Sequence, residues 1–179
     1  ERSTSLSELQ DLYQEIKHCE KCILCQGRTN AVPGEGPEDA EILFIGEGPG
    51  FHEDRQGRPF VGAAGQYLEE LLASIGLKRE QVYICNVVKC RPPANRDPQP
   101  EEIEACRPYL DRELEGRRFV LALGLSAAED LLGRKPVMKE VANQLLEVEL
   151  NGSTLHLMVT YHPSACIYRP AAREVLREA

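Results

Sequence analysis

Glu47, His52, Glu53, Asp54 and Phe60 lie in one stretch of this chain, spaced by Gly46, Gly48, Gly50, Gly57 and Gly62. Three carboxylates and a phenyl ring among small residues suggest a shaped pocket. The alternative is a solvated glycine-rich loop. Glycine lets the backbone approach a ligand closely, and a helix N-terminus offers free N–H groups to an anion. The GxGxxG dinucleotide spacing is absent, because Pro49 stands where the helix should start. No Gly-Lys-Ser/Thr follows, so this is not a P-loop.

Seven cysteines form the second chemical group. Cys19 and Cys22 make a CxxC knuckle, Cys25 follows after two intervening residues, and Cys90 and Cys106 have fifteen residues between them. Two such pairs hold an iron–sulfur cluster or a zinc ion, and spacing alone leaves both open. Cys85 and Cys166 read instead as small buried hydrophobes. The first residues lack the basic and apolar regions of a secretory leader. A cytoplasmic, reducing setting without disulfides is therefore expected. A metal here would pin the N-terminal helix and the loop 91–100 to the sheet edge.

The elements that must position these groups follow from apolar spacing. Leu6, Leu9, Leu12, Tyr13 and Ile16 predict a helix over 6–18, with Ser7 as its cap. Ile42–Ile45 is a buried strand that leads into the glycine loop, and a helix begins near Ala63, with Gly76 just past its end. Val82–Val88 is a second strand. Arg91–Pro100 is too rich in proline for anything but a loop. A helix opens at Glu101, where Pro108 should kink or split it. Phe119–Leu123 is a third strand, followed by a helix over 127–132. Asn151-Gly152 joins strands 146–150 and 154–161 as a hairpin, and a last helix is expected over 171–178. Such alternation predicts a single α/β domain, a three-layer α/β/α sandwich around a mostly parallel sheet. The turns holding Glu47, Asn86 with Lys89, and His162 then leave strand carboxyl ends on one rim.

At 179 residues with 42% hydrophobic content, the chain suits one domain with a substantial core. No apolar run approaches the ~20 residues of a membrane span. The net charge of −8 argues against a nucleic-acid partner unless basic groups are gathered locally. Such gathering is visible: Arg55 and Arg58 in the first loop, Lys89, Arg91 and Arg96 in the second, Arg169 and Arg173 after the last.

Several motifs together resemble the family 4 uracil-DNA glycosylases. Gly46-Glu-Gly-Pro-Gly50, Glu53-Asp54, Gly57-Arg-Pro-Phe-Val-Gly62 and Ala64-Gly65 look like their first motif. Asn86-Val-Val-Lys-Cys90-Arg-Pro-Pro with Asn95-Arg96 and Pro98 resembles the central one, and His162-Pro-Ser-Ala165 the last. Arg28-Thr29-Asn30 and Gly34-Glu35-Gly36 also fit. The likeness covers nearly the whole chain. It implies a [4Fe–4S] cluster on Cys19, Cys22, Cys90 and Cys106, with Cys25 left over. It also implies hydrolysis of the N-glycosidic bond of deoxyuridine in DNA, by a monomer acting on uracil-containing DNA.

An enzyme that works on a base takes it out of the stack into a pocket. On this resemblance Gly46, Glu47 and Gly48 line the pocket and Phe60 supplies its face. Glu53 crowds the position of the thymine methyl. Asn86 pairs with uracil O4 and N3–H, a pattern that cytosine reverses. His162 stabilises the charge growing on uracil O2, and Glu47 orients water or stabilises the sugar cation. Lys89, Arg91, Arg96 and Arg169, with Ser164, are candidates for DNA contact, since phosphate contacts fix a protein on the duplex. Ile167 and Tyr168 are candidates to wedge into the vacated stack. One departure stands out. Related families place Asp or Asn where Gly48 stands, and family 4 commonly has Ala, so no strong general base is visible.

Two rivals come from other classes. A uracil-DNA binder that crosslinks without turnover carries an extra basic insert after the central motif, and here Arg91-Pro-Pro-Ala-Asn-Arg-Asp-Pro is short. An electron-carrying iron–sulfur protein would show no salt-sensitive binding to uracil-DNA.

Overall fold

The computed structural model describes residues 6–133, 138–150 and 152–160. Five strands form one sheet: β1 (Ile42–Gly46), β2 (Tyr83–Asn86), β3 (Phe119–Leu123), β4 (Leu145–Leu150) and β5 (Ser153–Thr160). Their spatial order is β2-β1-β3-β5-β4. The β1–β2, β1–β3 and β3–β5 pairs are parallel, and only β4 runs antiparallel, as the hairpin partner of β5. Gly152 has φ +82, as the tight turn between β4 and β5 demands.

The described helices are α1 (Leu6–Lys17), α2 (Leu24–Gly27), α3 (Phe51–Gln56), α4 (Ala63–Ser74), α5 (Pro100–Leu114), α6 (Leu125–Leu132) and α7 (Met138–Val141). Side chains alternate across a strand, and β1 shows the result. Leu43 and Ile45 join Tyr83, Val120 and Leu157 in a core covered by α1, α5 and α6. Phe44 points the other way and packs with Phe60, Ile84 and Leu68 and Leu72 of α4. Helices thus lie on both faces of a mostly parallel sheet, which is the expected α/β sandwich.

Three expectations need correction. The first loop is not all loop, since α3 sits inside it between Gly50 and the left-handed Gly57, φ +71. The α5 helix runs through Pro108 unbroken. Pro108 and Glu104 are both exposed, so water can pair the carbonyl that proline leaves without a donor. Ser7 lies within α1 rather than ahead of it. Apolar burial also anchors α1. Leu9, Leu12 and Ile16 are buried, and burying each such side chain contributes roughly 1.5–3 kcal/mol. The helix expected over 171–178 lies outside the described residues.

Candidate active site

The carboxyl ends of β1 and β2 are neighbours in register, with Gly46 paired to Asn86. Between the turns that leave them is a cavity of about 290 Å³. Glu47, Gly48 and Glu53 line one side, Phe60 and Asn86 its inner end, and Pro92, Asn95 and Arg96 the facing wall. The expected pocket therefore exists, and its walls come from two of the three predicted turns. The third turn is expected after β5, a strand that sits two places from β1 in the sheet, roughly 10 Å away. His162, Ser164 and Arg169, with Ile167 and Tyr168, lie outside the described residues.

Asn86 is 3% exposed, and its side-chain amide makes no hydrogen bond among the described residues. The residue lines the cavity and its amide is not among the fully enclosed polar atoms, so it is open to a partner there. Phe60 is buried and holds φ +51, a left-handed conformation that costs a non-glycine residue on the order of 1 kcal/mol. Arg79 keeps it there by donating to the carbonyls of Pro59 and Phe60. The Nε of Arg79 is itself held by Glu35 at 3.0 Å. Gly65 is required by the same geometry, since a Cβ there would stand 1.9 Å from the Phe60 carbonyl oxygen.

The carboxylates divide by role. Glu53 accepts N–H groups from Gly50, Val61 and Gly62 at 3.1, 2.9 and 2.7 Å, so it ties the loop ends together while edging the cavity. Asp54 does not face the cavity, contrary to the pocket first drawn. It is buried against the backbone N–H groups of Thr29 and Asn30. His52 is exposed. Glu47 borders the cavity, and burial raises its carboxyl above the ordinary range, against the pull of a hydrogen bond from Ser126.

The basic candidates also divide. Lys89 is not a phosphate contact: it is 1% exposed, and its Nζ donates to Glu113 and, at 2.6 Å, to the Asn86 carbonyl. Arg96 forms a two-pronged pair with Glu102, 2.8 and 2.7 Å, which ties the proline loop to the start of α5. Arg91 donates to Asn95 at 2.8 Å, and its guanidinium lies 5.5 Å from the centre of the half-exposed Phe51 ring. Arg55 approaches the same ring. The proline loop is thus held by side-chain pairs as well as by anything bound at Cys90.

Two of the four expected ligand sulfurs receive a donor: Cys19 accepts from the Lys21 N–H at 3.5 Å and Cys90 from Arg28 at 3.0 Å. Hydrogen bonds to sulfur are what a thiolate-held cluster uses to stabilise its charge. The residues therefore fit such a group. Among the described residues, no three Cys, His, Asp or Glu side chains close on a single ion-sized point. Burial pushes the Cys90 thiol up to about 11 despite Arg28, so binding there must displace protons. Cys85 is fully buried in the apolar core, as expected.

Sequence reasoning missed two buried polar groups. One is the Glu35–Arg79–Phe60 bracket. The other is Glu113, which accepts from the Gly34 N–H at 2.9 Å and the Tyr83 hydroxyl at 2.7 Å as well as from Lys89. Glu113 falls at helical spacing with Tyr109 and Leu110 on the buried face of α5. A charge on an apolar stripe was the available signal.

A parallel α/β sandwich with a small polar-ended cavity on its carboxyl rim defines the class. Comparison with known proteins narrows it. The profile described as the uracil DNA glycosylase superfamily matches residues 33–179. The chain is 49% identical over 175 residues to a type-4 uracil-DNA glycosylase of Archaeoglobus fulgidus, covering 94% of this chain and 88% of the relative. It is 47% identical over 173 residues to one of Pyrobaculum aerophilum, covering 93% and 88%. A type-5 uracil-DNA glycosylase of Thermus thermophilus is 37% identical over 153 residues, covering 74% and 68%. The crystal structure of wild-type SMUG2 from Pedobacter heparinus superposes with a TM-score of 0.50 at 14% identity, over 78% of this chain and 72% of that one, and so bears on the fold alone. This chain belongs to the uracil DNA glycosylase superfamily, in its type-4 branch.

Proposed function

We propose that this protein is a uracil-DNA glycosylase acting in DNA repair, and that the cavity receives a uracil flipped out of DNA. The observation that carries the reading is the amide of the largely buried Asn86, which makes no hydrogen bond among the described residues and lines a cavity beside the Phe60 ring. An amide offers one acceptor and one donor, which match N3–H and O4 of uracil and oppose cytosine. Phe60 supplies the face, and Glu53, fixed by three N–H groups, edges the side where a thymine methyl would project. Glu47, half-buried at the rim, orients water or stabilises the sugar cation. His162 donates to uracil O2 as negative charge grows there. Losing one such donor typically costs ~10²–10³ in rate, so His162→Ala is expected to slow release at least about tenfold while DNA binding is kept.

Cys19, Cys22, Cys90 and Cys106 would hold a [4Fe–4S] cluster, which would brace the knuckle and the proline loop. A brown protein with roughly four iron and four sulfide per chain fits this assignment, and a colourless one with stoichiometric zinc does not. Arg91, Arg96 and, outside the described residues, Ser164 and Arg169 remain the DNA-contact candidates, and the chain acts as a single-domain monomer. The test is to count products on a uracil-containing oligonucleotide. Many abasic sites per protein molecule support the enzyme, and one stable adduct per molecule supports a crosslinking binder instead.

A further inference from the structure

We propose that the buried Lys89–Glu113 ion pair is the positioning device for Asn86, and so sets how well the pocket discriminates among bases. The inference rests on Asn86 reading the base edge. Lys89 and Glu113 have side chains only 2% and 0% exposed. Lys89 Nζ spans the two, donating to the Asn86 carbonyl and to a Glu113 carboxylate oxygen.

The other carboxylate oxygen of Glu113 is fixed from two sides. It accepts from Tyr83, whose hydroxyl lies 3.1 Å from that of Tyr13 in α1, and from the Gly34 N–H. Arg117 closes the far side: its guanidinium lies 4.2 Å from the Tyr83 ring centre, and its Nε donates to the Glu113 carbonyl. The result is a chain of contacts from α1 and α5 to the peptide that follows the base-reading residue. Asn86 is the last residue of β2, and the peptide that follows it is held to β1 through the Val87 N–H, which donates to the Gly46 carbonyl at 2.9 Å. Lys89 adds a second anchor to that peptide, on its carbonyl.

A buried pair is weak evidence for a stabilising role, since isosteric uncharged replacements are often neutral or better. That makes the pair separable by experiment. In Lys89→Met/Glu113→Gln both charges go together and volume is nearly kept. The double variant and the wild type are compared on oligonucleotides carrying uracil or cytosine, with thermal unfolding measured in parallel. Misplacement of a recognition group by about 1 Å costs roughly a hundredfold. The expected result is a kcat for uracil lower by about that factor per folded molecule, KM changed little, and a reduced uracil-to-cytosine ratio.

If the double variant unfolds more easily yet keeps kcat and the ratio, the pair is only structural and the inference is overturned. Should it fail to fold, Tyr83→Phe removes one donor to Glu113 and is read by the same measure. A loss in kcat of about threefold or more at native KM supports the inference, and a native kcat overturns it. A wild type that releases no uracil would instead overturn the reading on which the inference rests.

Discussion

The ring of Phe60 and the amide of Asn86 converge on a single point over Gly46. A Cβ on that glycine would stand 2.6 Å from Cζ of Phe60 and 2.7 Å from Oδ1 of Asn86. On the proposed function the groups for the face and the edge of a base would share one floor, and only glycine leaves it flat. Gly46→Ala should lower kcat/KM on uracil-DNA by roughly a hundredfold. Overpacking of this kind costs about 1–3 kcal/mol, so a folded variant with a lower midpoint is expected. Near-native turnover would show that the two side chains do not act on the same ligand.

Asn86→Asp replaces the donor of the amide with an acceptor. Uracil N3–H can still be met, but the O4 carbonyl then faces a carboxylate oxygen. Uracil release should be abolished or its preference over other bases shifted, because unpaired polar groups in a buried site cost about 1–3 kcal/mol each. Unchanged release of uracil would end the assignment of Asn86.

Burial raises the Glu47 carboxyl, and the Ser126 hydrogen bond opposes that shift. If the ionised form serves the reaction, activity is present above the folded pKa and falls as the pH drops through it. The acid limb of kcat/KM should therefore lie above pH 4.5, the ordinary value. Ser126→Ala removes the lowering bond and should move that limb to higher pH. A limb that stays in place separates Glu47 from the chemistry.

Glu35 shows the opposite sign. Burial alone would raise it, but Arg58 and Arg79 outweigh that and hold it below its usual 4.5. Its contribution to stability is present above that value and is lost as the pH falls through the lower folded pKa. Acid unfolding followed by circular dichroism should show a shallower loss below pH 4.5 for Glu35→Gln than for the wild type. The same variant frees Arg79, the bracket on the Phe60 carbonyl, so uracil release should weaken as well.

Much of this arrangement was legible in the residues because it is local or periodic. The apolar run Ile42–Ile45, the spacing of Leu68 and Leu72, and Asn151-Gly152 each declare their element through short-range geometry. The pocket was legible through Glu47, Phe60 and Asn86 because parallel strands deliver their following turns to one rim. What escaped depends on long-range partners. Lys89 reads as one more surface cation until Glu113, 24 residues away, is seen buried against it. Asp54 reads as a pocket acid until Thr29 and Asn30 are found folded onto it. Pro108 reads as a breaker because propensity does not reveal that the Glu104 carbonyl it leaves without a donor faces water. Charge type alone does not tell which side of the chain a group will face.

The most direct measurement is base release from matched oligonucleotides that differ only in carrying U, T, C or hypoxanthine at one position. The account predicts repeated turnover on uracil, with T and C slower by several orders of magnitude, because the ring, the amide and the fixed Glu53 act on one base at once. Comparable release of cytosine or thymine, or no release from any of the four, would contradict it.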